Sequence, residues 1–186
     1  GSGHYGERFL RANLRSWGIG DYEDLMSGVD HLISLGLADS QRMGISGGSY
    51  GGYLTTWTIS QTDRFRAAVA GAAITDVPSF VRTTDVPQRF ESYLGSDPRR
   101  YACCSPMYFA DNITTPTLIW HGDADIRVPV MQGRHLYTAL QKNNVPVQFV
   151  IYPGEPHSLS RSSNQRDLLE RKLSWLTRWV LEDHSP

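Results

Sequence analysis

Short apolar segments alternate with helical patterns along this chain, and that alternation restricts the fold more than any other feature. Four segments have the length and composition of buried strands: residues 42–46, 67–72, 117–121 and 147–152. Strands that are joined through helices pair in parallel, with right-handed crossovers. The sequence therefore predicts an α/β fold with a mostly parallel sheet.

Four helices are predicted around these strands. The first has Asp21 as its cap and ends at Gly36, two follow at 50–61 and 130–142, and the last covers 167–180. The apolar faces are expected to consist of Leu25, Val29, Leu32 and Ile33 in the first helix, and of Leu169, Leu173, Leu176 and Val180 in the last. Between the second and third strands, residues 75–110 contain four prolines, so we expect irregular structure with one or two short helices.

Length, charge and cysteine content exclude several classes of protein. The chain has 186 residues, which suits one domain, and 40% of them are hydrophobic, which is enough for a core. The formal net charge is −1, so there is no basic field for nucleic acid or an anionic membrane. No apolar run reaches the roughly 18 residues that a membrane span needs. The two cysteines, Cys103 and Cys104, are neighbours and do not make a disulfide framework, so we expect a cytoplasmic protein.

A glycine-rich segment carries the first sign of chemistry. Residues 47–51, Gly-Gly-Ser-Tyr-Gly, fit the G-x-S-x-G pattern and lie between a predicted strand and a predicted helix. In that context a sharp turn exposes a serine nucleophile at the C-terminal edge of a parallel sheet, so Ser49 is the candidate nucleophile. The N–H of Tyr50, at the start of the helix, is expected to point at a developing oxyanion. The alternative is a flexible turn without chemistry, which this context disfavours.

A serine hydroxyl is a weak nucleophile and needs a base and an orienting carboxylate. In α/β-hydrolases these follow the serine in the order acid, then histidine. Asp125 follows the third strand and is the candidate acid, with Asp123 as its rival. His157 follows the fourth strand and is the candidate general base. These side chains fall where ligands bind in parallel sheets, beyond the C-terminal ends of the strands.

Residues 121–125 also contain side chains that could bind a metal ion. His121, Asp123 and Asp125 are all residue types that ligate metals. One histidine with two acids two residues apart is a weak signature, however, and His121 is better explained by local hydrogen bonding. We therefore expect neither a metal nor another cofactor.

Several segments together resemble one family of enzymes. They are Gly-Gly-Ser-Tyr-Gly-Gly-Tyr at 47–53, Asp-Arg-Phe-Arg-Ala-Ala-Val at 63–69, Ser-Pro at 105–106, Thr-Pro-Thr-Leu at 115–118, His-Gly-x-x-Asp-x-x-Val-Pro at 121–129 and Val-Pro-Val-Gln-Phe-Val-Ile-Tyr-Pro at 145–153. They are similar to the catalytic domain of the prolyl oligopeptidase family of serine peptidases, above all to its acylaminoacyl peptidase and dipeptidyl peptidase branch. The resemblance covers nearly the whole chain and implies an α/β-hydrolase fold.

The resemblance also implies residue roles. Ser49, Asp125 and His157 match the family's triad. Arg127 matches an arginine that binds a substrate carbonyl near the scissile bond, and Val128 matches a wall of the S1 pocket. The chain is therefore expected to be a serine hydrolase that cleaves the peptide or ester bond of a peptide or small acyl substrate through an acyl-enzyme.

Two further segments bear on the comparison with this family. The stretch 74–93 is expected to line the S1 pocket, with Val77 and Phe80 as candidates. The family usually has Gly-His-Gly around its histidine, whereas Pro156 and Ser158 flank it here. The fixed φ of a proline can change how that loop presents the imidazole.

The family's hydrolase domain has further strands upstream, a loop that supplies a second oxyanion donor, and usually a preceding β-propeller. We expect residues 1–186 to form a single partial α/β-hydrolase domain, with the C-terminal half of the sheet and no propeller. The strand at 42–46, with Met43 and Ile45, is then an open edge, which we expect to pair with a second copy or an upstream segment. The alternative function is a non-catalytic or weakly active fragment that serves as a folding or association module.

Overall fold

The computed structural model describes residues 3–95 and 97–182. Its strands and helices, in chain order, are α1 (Glu7–Arg11), α2 (Gly20–Ser34), β1 (Gly44–Gly48), α3 (Tyr50–Gln61), β2 (Ala67–Gly71), α4 (Val77–Thr83), α5 (Pro87–Leu94), α6 (Pro98–Cys103), β3 (Thr117–Gly122), α7 (Met131–Lys142), β4 (Val147–Tyr152) and α8 (Ser162–Leu176). A 3₁₀ helix (Pro106–Asn112) precedes β3, and a π-helical turn (Thr177–Leu181) extends α8. Within the described residues, no helix is both long and apolar enough to cross a membrane.

The four strands form one sheet in the order β1-β2-β3-β4, and every neighbouring pair is parallel. This confirms the predicted α/β architecture. The first strand lies two residues later than predicted, because the ladder begins where Gly44 pairs with Ala67 and continues to Gly48. On the outer side of β1, no strand of the described residues pairs with it, so β1 is an edge of this sheet.

Helices cover both faces of the sheet, as a parallel sheet requires. On one face Ile119 of β3 packs with Leu136 and Leu140 of α7, in a cluster that also contains Ile59 of α3. On the other face Leu118 of β3 packs in the cluster that contains Trp175 of α8. The strand between β1 and β3 is therefore buried along its whole length.

The last helix begins at Ser162, five residues before its predicted start, and its apolar face is only partly as expected. Leu169 and Leu173 are each 67% exposed, whereas Leu168 and Trp175 are buried. Only the C-terminal part of the predicted stripe reaches the sheet, where Leu176 and Val180 lie against Gly44.

The second helix also differs from its prediction. It begins at Gly20 with Ile19 as its N-cap, so Asp21 lies in its first turn instead of capping it. Gly36 follows the helix with φ +69°, which is the left-handed conformation expected of a terminating glycine. No residue of α2 is fully buried, and Leu32 on the predicted apolar face is exposed.

The proline-rich stretch contains more helix than predicted. Three short α-helices and the 3₁₀ helix follow β2, and each has a proline in its first turn. Proline suits that position because its φ is already helical and its missing N–H would have no partner there. The prolines therefore begin helices in this region, whereas the sequence predicts irregular structure with one or two short helices.

Candidate active site

Ser49 lies in a sharp turn between β1 and α3, with φ 57° and ψ −119°. Such a backbone is strained for a residue with a side chain. The turn is held by a hydrogen bond from Ser49 N to Gly71 O at 2.9 Å. At Gly47 a Cβ atom would lie 2.2 Å from Gly51 O, so the turn can close only with glycine there. The G-x-S-x-G segment thus has the geometry that its sequence context predicted.

Tyr50 is the first residue of α3, so its N–H has no acceptor within the helix. This N–H therefore lies directly beside Ser49 without a helical acceptor. The tyrosine side chain is fixed as well: its hydroxyl donates to Asp21 Oδ2 and accepts from Asn13 Nδ2 at 2.7 Å. Burial raises the pKa of this hydroxyl far above its ordinary value, so Tyr50 remains a neutral phenol at physiological pH.

Asp125 is buried just beyond the end of β3 and forms hydrogen bonds with both carboxylate oxygens. Its Oδ1 accepts from the N–H groups of Arg127 and Val128, each at 2.9 Å. Its Oδ2 lies 2.8 Å from His157 Nδ1 and 3.4 Å from His121 Nε2. Burial alone would raise the pKa of Asp125, but the hydrogen bonds from the two histidines and from Val128 lower it well below its usual range. Asp125 is therefore an ionised acceptor.

His157 connects the other two candidates. Its Nδ1 lies 2.8 Å from Asp125 Oδ2, and its Nε2 lies 2.8 Å from Ser49 Oγ. Because an ionised carboxylate can only accept, Nδ1 carries the proton of a neutral imidazole. Nε2 is then free to accept the hydrogen of the Ser49 hydroxyl. The structure brings the three candidate residues together from the ends of three different strands.

The loop that carries His157 is held by Glu155, which sequence reasoning missed. The Glu155 side chain is fully buried and accepts from Ser160 N at 2.6 Å, Asn164 Nδ2 at 2.6 Å and Arg161 N at 3.2 Å. The Ser160 N–H and the other hydrogen bonds lower the pKa of Glu155 to about 2. A carboxylate followed within a few residues by Ser and Asn is the sequence signal that could have revealed this clamp.

Asp123 was the alternative candidate for the acid, but its carboxylate bonds to the backbone of the loop after β4. Its Oδ1 accepts from Gly154 N at 2.6 Å, which joins the loop after β3 to the loop after β4. The same two loops also meet at Gly122, where a Cβ atom would lie 2.2 Å from Glu155 O.

His121 is fully buried, and its Nε2 hydrogen-bonds to Val128 O at 2.7 Å. This is the local role that the sequence favoured. Within residues 3–95 and 97–182, no group of three or more His, Cys, Asp or Glu side chains is arranged to hold a metal ion.

A cavity of about 510 Å³ opens beside Ser49 and His157. Aromatic and aliphatic side chains form much of its wall: Trp17, Tyr50, Leu54, Ile74, Phe90, Tyr93 and Val128. Val128, for which the resemblance implies a place in the S1 wall, is one of the residues that line this cavity. Ile74, Phe90 and Tyr93 belong to the stretch 74–93 that is expected to line the pocket, whereas Trp17 lies outside it.

The two residues proposed for the pocket from the stretch 74–93 do not line this cavity. Val77 and Phe80 are completely buried in the core behind it. The ring of Phe80 packs edge-on against Phe90, with centroids 4.6 Å apart, and Phe90 faces the cavity. Val77 and Phe80 therefore support the wall without forming it, because the inner face of α4 is turned to the core.

Arg127 also lines the cavity, and it is paired with Asp85. Its Nε donates to Asp85 Oδ1 at 2.5 Å and its Nη2 donates to Oδ2 at 3.1 Å. These bonds from Arg127 lower the pKa of Asp85, and in return they raise the pKa of the guanidinium. The contact joins the loop before α5 to the loop after β3.

Comparison with known proteins agrees with this architecture. A family profile described as the prolyl oligopeptidase family matches residues 1–183. The chain belongs to the prolyl oligopeptidase family. It is 36% identical over 185 residues to the uncharacterized peptidase YuxL of Bacillus subtilis, covering 96% of this chain and 28% of that protein. It is 33% identical over 192 residues to the acylamino-acid-releasing enzyme of Arabidopsis thaliana, covering 96% of this chain and 25% of that enzyme.

A solved structure shows the same fold. A puromycin-hydrolyzing peptidase of Mycobacterium tuberculosis superposes on 98% of this chain with a TM-score of 0.94 and 31% identity, and 28% of that chain is covered. The α/β-hydrolase fold that the resemblance implied is thus confirmed. This member of the prolyl oligopeptidase family spans about a quarter of the length of the relatives it matches.

Proposed function

We propose that this chain carries the catalytic apparatus of a serine hydrolase that cleaves a peptide or small acyl substrate through an acyl-enzyme. The observation that carries the proposal is the position of the His157 ring, which is 2.8 Å from Ser49 Oγ on one side and 2.8 Å from Asp125 Oδ2 on the other. Membership of a peptidase family supports the same class of reaction.

The first half of the reaction acylates the serine. Ser49 Oγ attacks the acyl carbonyl while its proton passes to His157 Nε2, and the ionised Asp125 stabilises the imidazolium that forms. The carbonyl oxygen becomes an oxyanion, which the Tyr50 N–H stabilises at the start of α3. The tetrahedral intermediate then collapses, His157 gives the proton to the leaving amine or alcohol, and the acyl group remains on Ser49.

The second half of the reaction repeats these steps with water. His157 takes a proton from water, the resulting hydroxide attacks the ester carbonyl, and Ser49 leaves with the proton that His157 returns. No cofactor takes part in either half.

The cavity supports an apolar group next to the scissile bond. In our proposal Val128 and the aromatic wall contact the side chain of the acyl residue, and Arg127 donates to a carbonyl of the substrate backbone. Two relatives fit this substrate class, since one is a puromycin-hydrolyzing peptidase and another an acylamino-acid-releasing enzyme.

The proposal is tested with a fluorophosphonate probe and with hydrolysis of a p-nitrophenyl ester. We expect the probe to label Ser49, and we expect Ser49→Ala to abolish both labelling and ester turnover. Ser163→Ala, an exposed serine on α8, is the matched control and should retain both.

The size of the rate bears on the alternative function. Loss of one oxyanion donor costs roughly 10²–10³ in rate, so a slow but Ser49-dependent turnover still supports the proposal. Equal ester turnover by the parent chain and Ser49→Ala would refute it, and would favour a non-catalytic folding or association module.

A further inference from the structure

Asp85 and Arg127 connect two loops at the rim of the cavity. Asp85 Oδ1 accepts from Arg127 Nε at 2.5 Å, and Asp85 Oδ2 accepts from Arg127 Nη2 at 3.1 Å. This is the bidentate geometry that suits a carboxylate and a guanidinium. The backbone joins the same loops, because Asp85 N donates to Ile126 O at 3.1 Å. Arg127 is itself only two residues from Asp125, whose Oδ1 accepts the Arg127 N–H at 2.9 Å. Arg127 is thus held at its backbone by Asp125 and at its guanidinium by Asp85.

The pairing leaves part of the guanidinium available. An arginine has five N–H donors in a planar fork, and Asp85 takes one from Nε and one from Nη2. Within the described residues, Nη1 has no hydrogen-bond partner, although Arg127 lines the cavity that contains Ser49 and His157. The net charge of the pair is close to zero, because both partners are ionised.

We propose that Asp85 is a positioning and specificity-determining residue, which orients the Arg127 guanidinium toward the substrate and cancels its charge. The position then favours a neutral backbone carbonyl over a carboxylate. This inference rests on the proposed function, because it assigns the substrate chemistry of the same site.

The orienting effect has a predictable size. Arginine has many rotamers, and immobilising such a side chain when a ligand binds weakens affinity by roughly 2- to 12-fold. Asp85 already immobilises the Arg127 side chain in the free protein. When Asp85 is replaced, the entropic cost of immobilising Arg127 falls on the binding of substrate instead. The Arg127 side chain is 38% exposed, and exposed ion pairs contribute little to folding, so the variants should remain folded.

The charge effect has a different signature. Without Asp85 the guanidinium carries an uncompensated positive charge at the cavity rim. A carboxylate about 4 Å away then gains roughly fivefold in binding at low salt. Because solvent ions screen such a contact, this gain shrinks at high ionic strength.

The kinetic test compares three substrates: a neutral N-acetyl dipeptide p-nitroanilide, its N-succinyl counterpart, and p-nitrophenyl acetate. For Asp85→Ala we expect kcat/KM on the neutral peptide to fall roughly 3- to 10-fold, mainly through KM, with the acetate ester changed less than about twofold. The ratio of succinyl to acetyl peptide should rise about fivefold at low salt. Asp85→Asn keeps an acceptor and should retain more of the neutral-peptide activity than Asp85→Ala, with the same change in ratio.

Two controls separate positioning from a structural effect. Asp30→Ala breaks an exposed ion pair with Arg64 away from the cavity and should leave all three activities unchanged. In an Arg127→Ala background, Asp85→Ala should cause no further loss on the peptide, because the two residues act as one unit. An equal loss on ester and peptide, or losses that add in the double variant, would overturn the inference.

A binding measurement keeps the inference separate from the proposed function. In the Ser49→Ala background, calorimetry with an N-acetyl dipeptide amide should give a Kd that rises roughly 3- to 10-fold when Asp85 is replaced by alanine. Absence of Ser49-dependent turnover would refute the proposed function while leaving this measurement intact. An unchanged Kd, or no binding by either protein, would refute the role of Asp85.

Discussion

Gln132 provides a strong test of how the cavity is supported. Its side chain is 98% buried in α7, and every polar atom of it bonds to the segment that follows β2. Oε1 accepts from Thr75 N at 2.9 Å and Asp76 N at 2.8 Å, while Nε2 donates to Ser79 Oγ at 2.7 Å and Asp76 O at 3.2 Å. This segment begins next to Ile74, a residue of the cavity wall.

Replacement by leucine keeps a similar volume and removes these four bonds, together with a fifth from Thr75 Oγ1 to Oε1 at 3.3 Å. The largest cost comes from the backbone N–H groups of Thr75 and Asp76, which lose their acceptor. A buried donor without a partner costs about 1–3 kcal/mol, so Gln132→Leu should lower the free energy of unfolding by about 4 kcal/mol. For a domain of this size that corresponds to a fall in Tm of about 8–16 °C.

Thermal and urea unfolding followed by circular dichroism measure this change. Gln141→Leu is the matched control, because Gln141 lies on the same helix and makes one exposed bond, to Tyr137 Oη at 2.8 Å. It should change the free energy of unfolding by less than about 0.5 kcal/mol. If Gln132→Leu is destabilised by less than about 1 kcal/mol, the segment has found other partners, and the reasoning from unpaired donors is wrong.

Three other predictions concern the substrate, acid stability and association. Arg127→Ala should reduce kcat/KM on peptides by roughly 10- to 150-fold, because the loss of a hydrogen bond from a charged donor costs about 1.5–3 kcal/mol. The loss on short esters should be far smaller, because they lack the backbone carbonyl that Arg127 is proposed to bind. Equal losses of kcat/KM on both substrates would contradict this prediction. The pKa of Glu155 is lowered from 4.5 to about 2, so its contribution to stability is present above pH 4.5 and is lost as the pH falls toward 2. The free energy of unfolding of Glu155→Gln should therefore depend less on pH between 4.5 and 2 than that of the parent chain. The same pH dependence in both proteins would count against this role of Glu155. The unpaired outer side of β1 should make this chain self-associate in light scattering at several concentrations; a stable monomer with a cooperative melt would contradict this.

The parts of the site that follow strands could be predicted from the sequence. Ser49, Asp125 and His157 each come just after an apolar segment, and the ends of parallel strands meet at one edge. The succession of strands along the chain therefore predicts that these side chains share one edge, although Ser49 and His157 are 108 positions apart in the sequence.

The supporting contacts left no comparable signal. Gln132 bonds to Thr75, which is 57 positions away in the sequence, and Arg127 bonds to Asp85, which is 42 positions away. No periodic pattern in the sequence links the two members of either pair. Such pairs depend on how loops fold over each other, which is a tertiary property. The stretch that contains Val77 and Phe80 was placed near the cavity, but the rotation of α4 decides which side chains face it.

Helix faces show the same limit. The leucine stripe of α8 continues from Leu169 to Leu176, yet only its last part reaches the sheet. Periodicity identifies which side chains share a face, but the length of that face that finds a partner depends on the rest of the fold.

The strand order β1-β2-β3-β4 has a consequence for synthesis on the ribosome. Each new strand is added beside the one made just before it, so the sheet can grow in step with translation. Ser49 then emerges first and His157 last, since they follow the first and fourth strands. A nascent chain that ends before residue 157 has the serine turn without the imidazole that contacts it, and Glu155 gains its hydrogen bond from Asn164 only after residue 164 has been added. In the proposed mechanism, Ser49 can therefore be activated only after the fourth of these strands and the loop that follows it have been made.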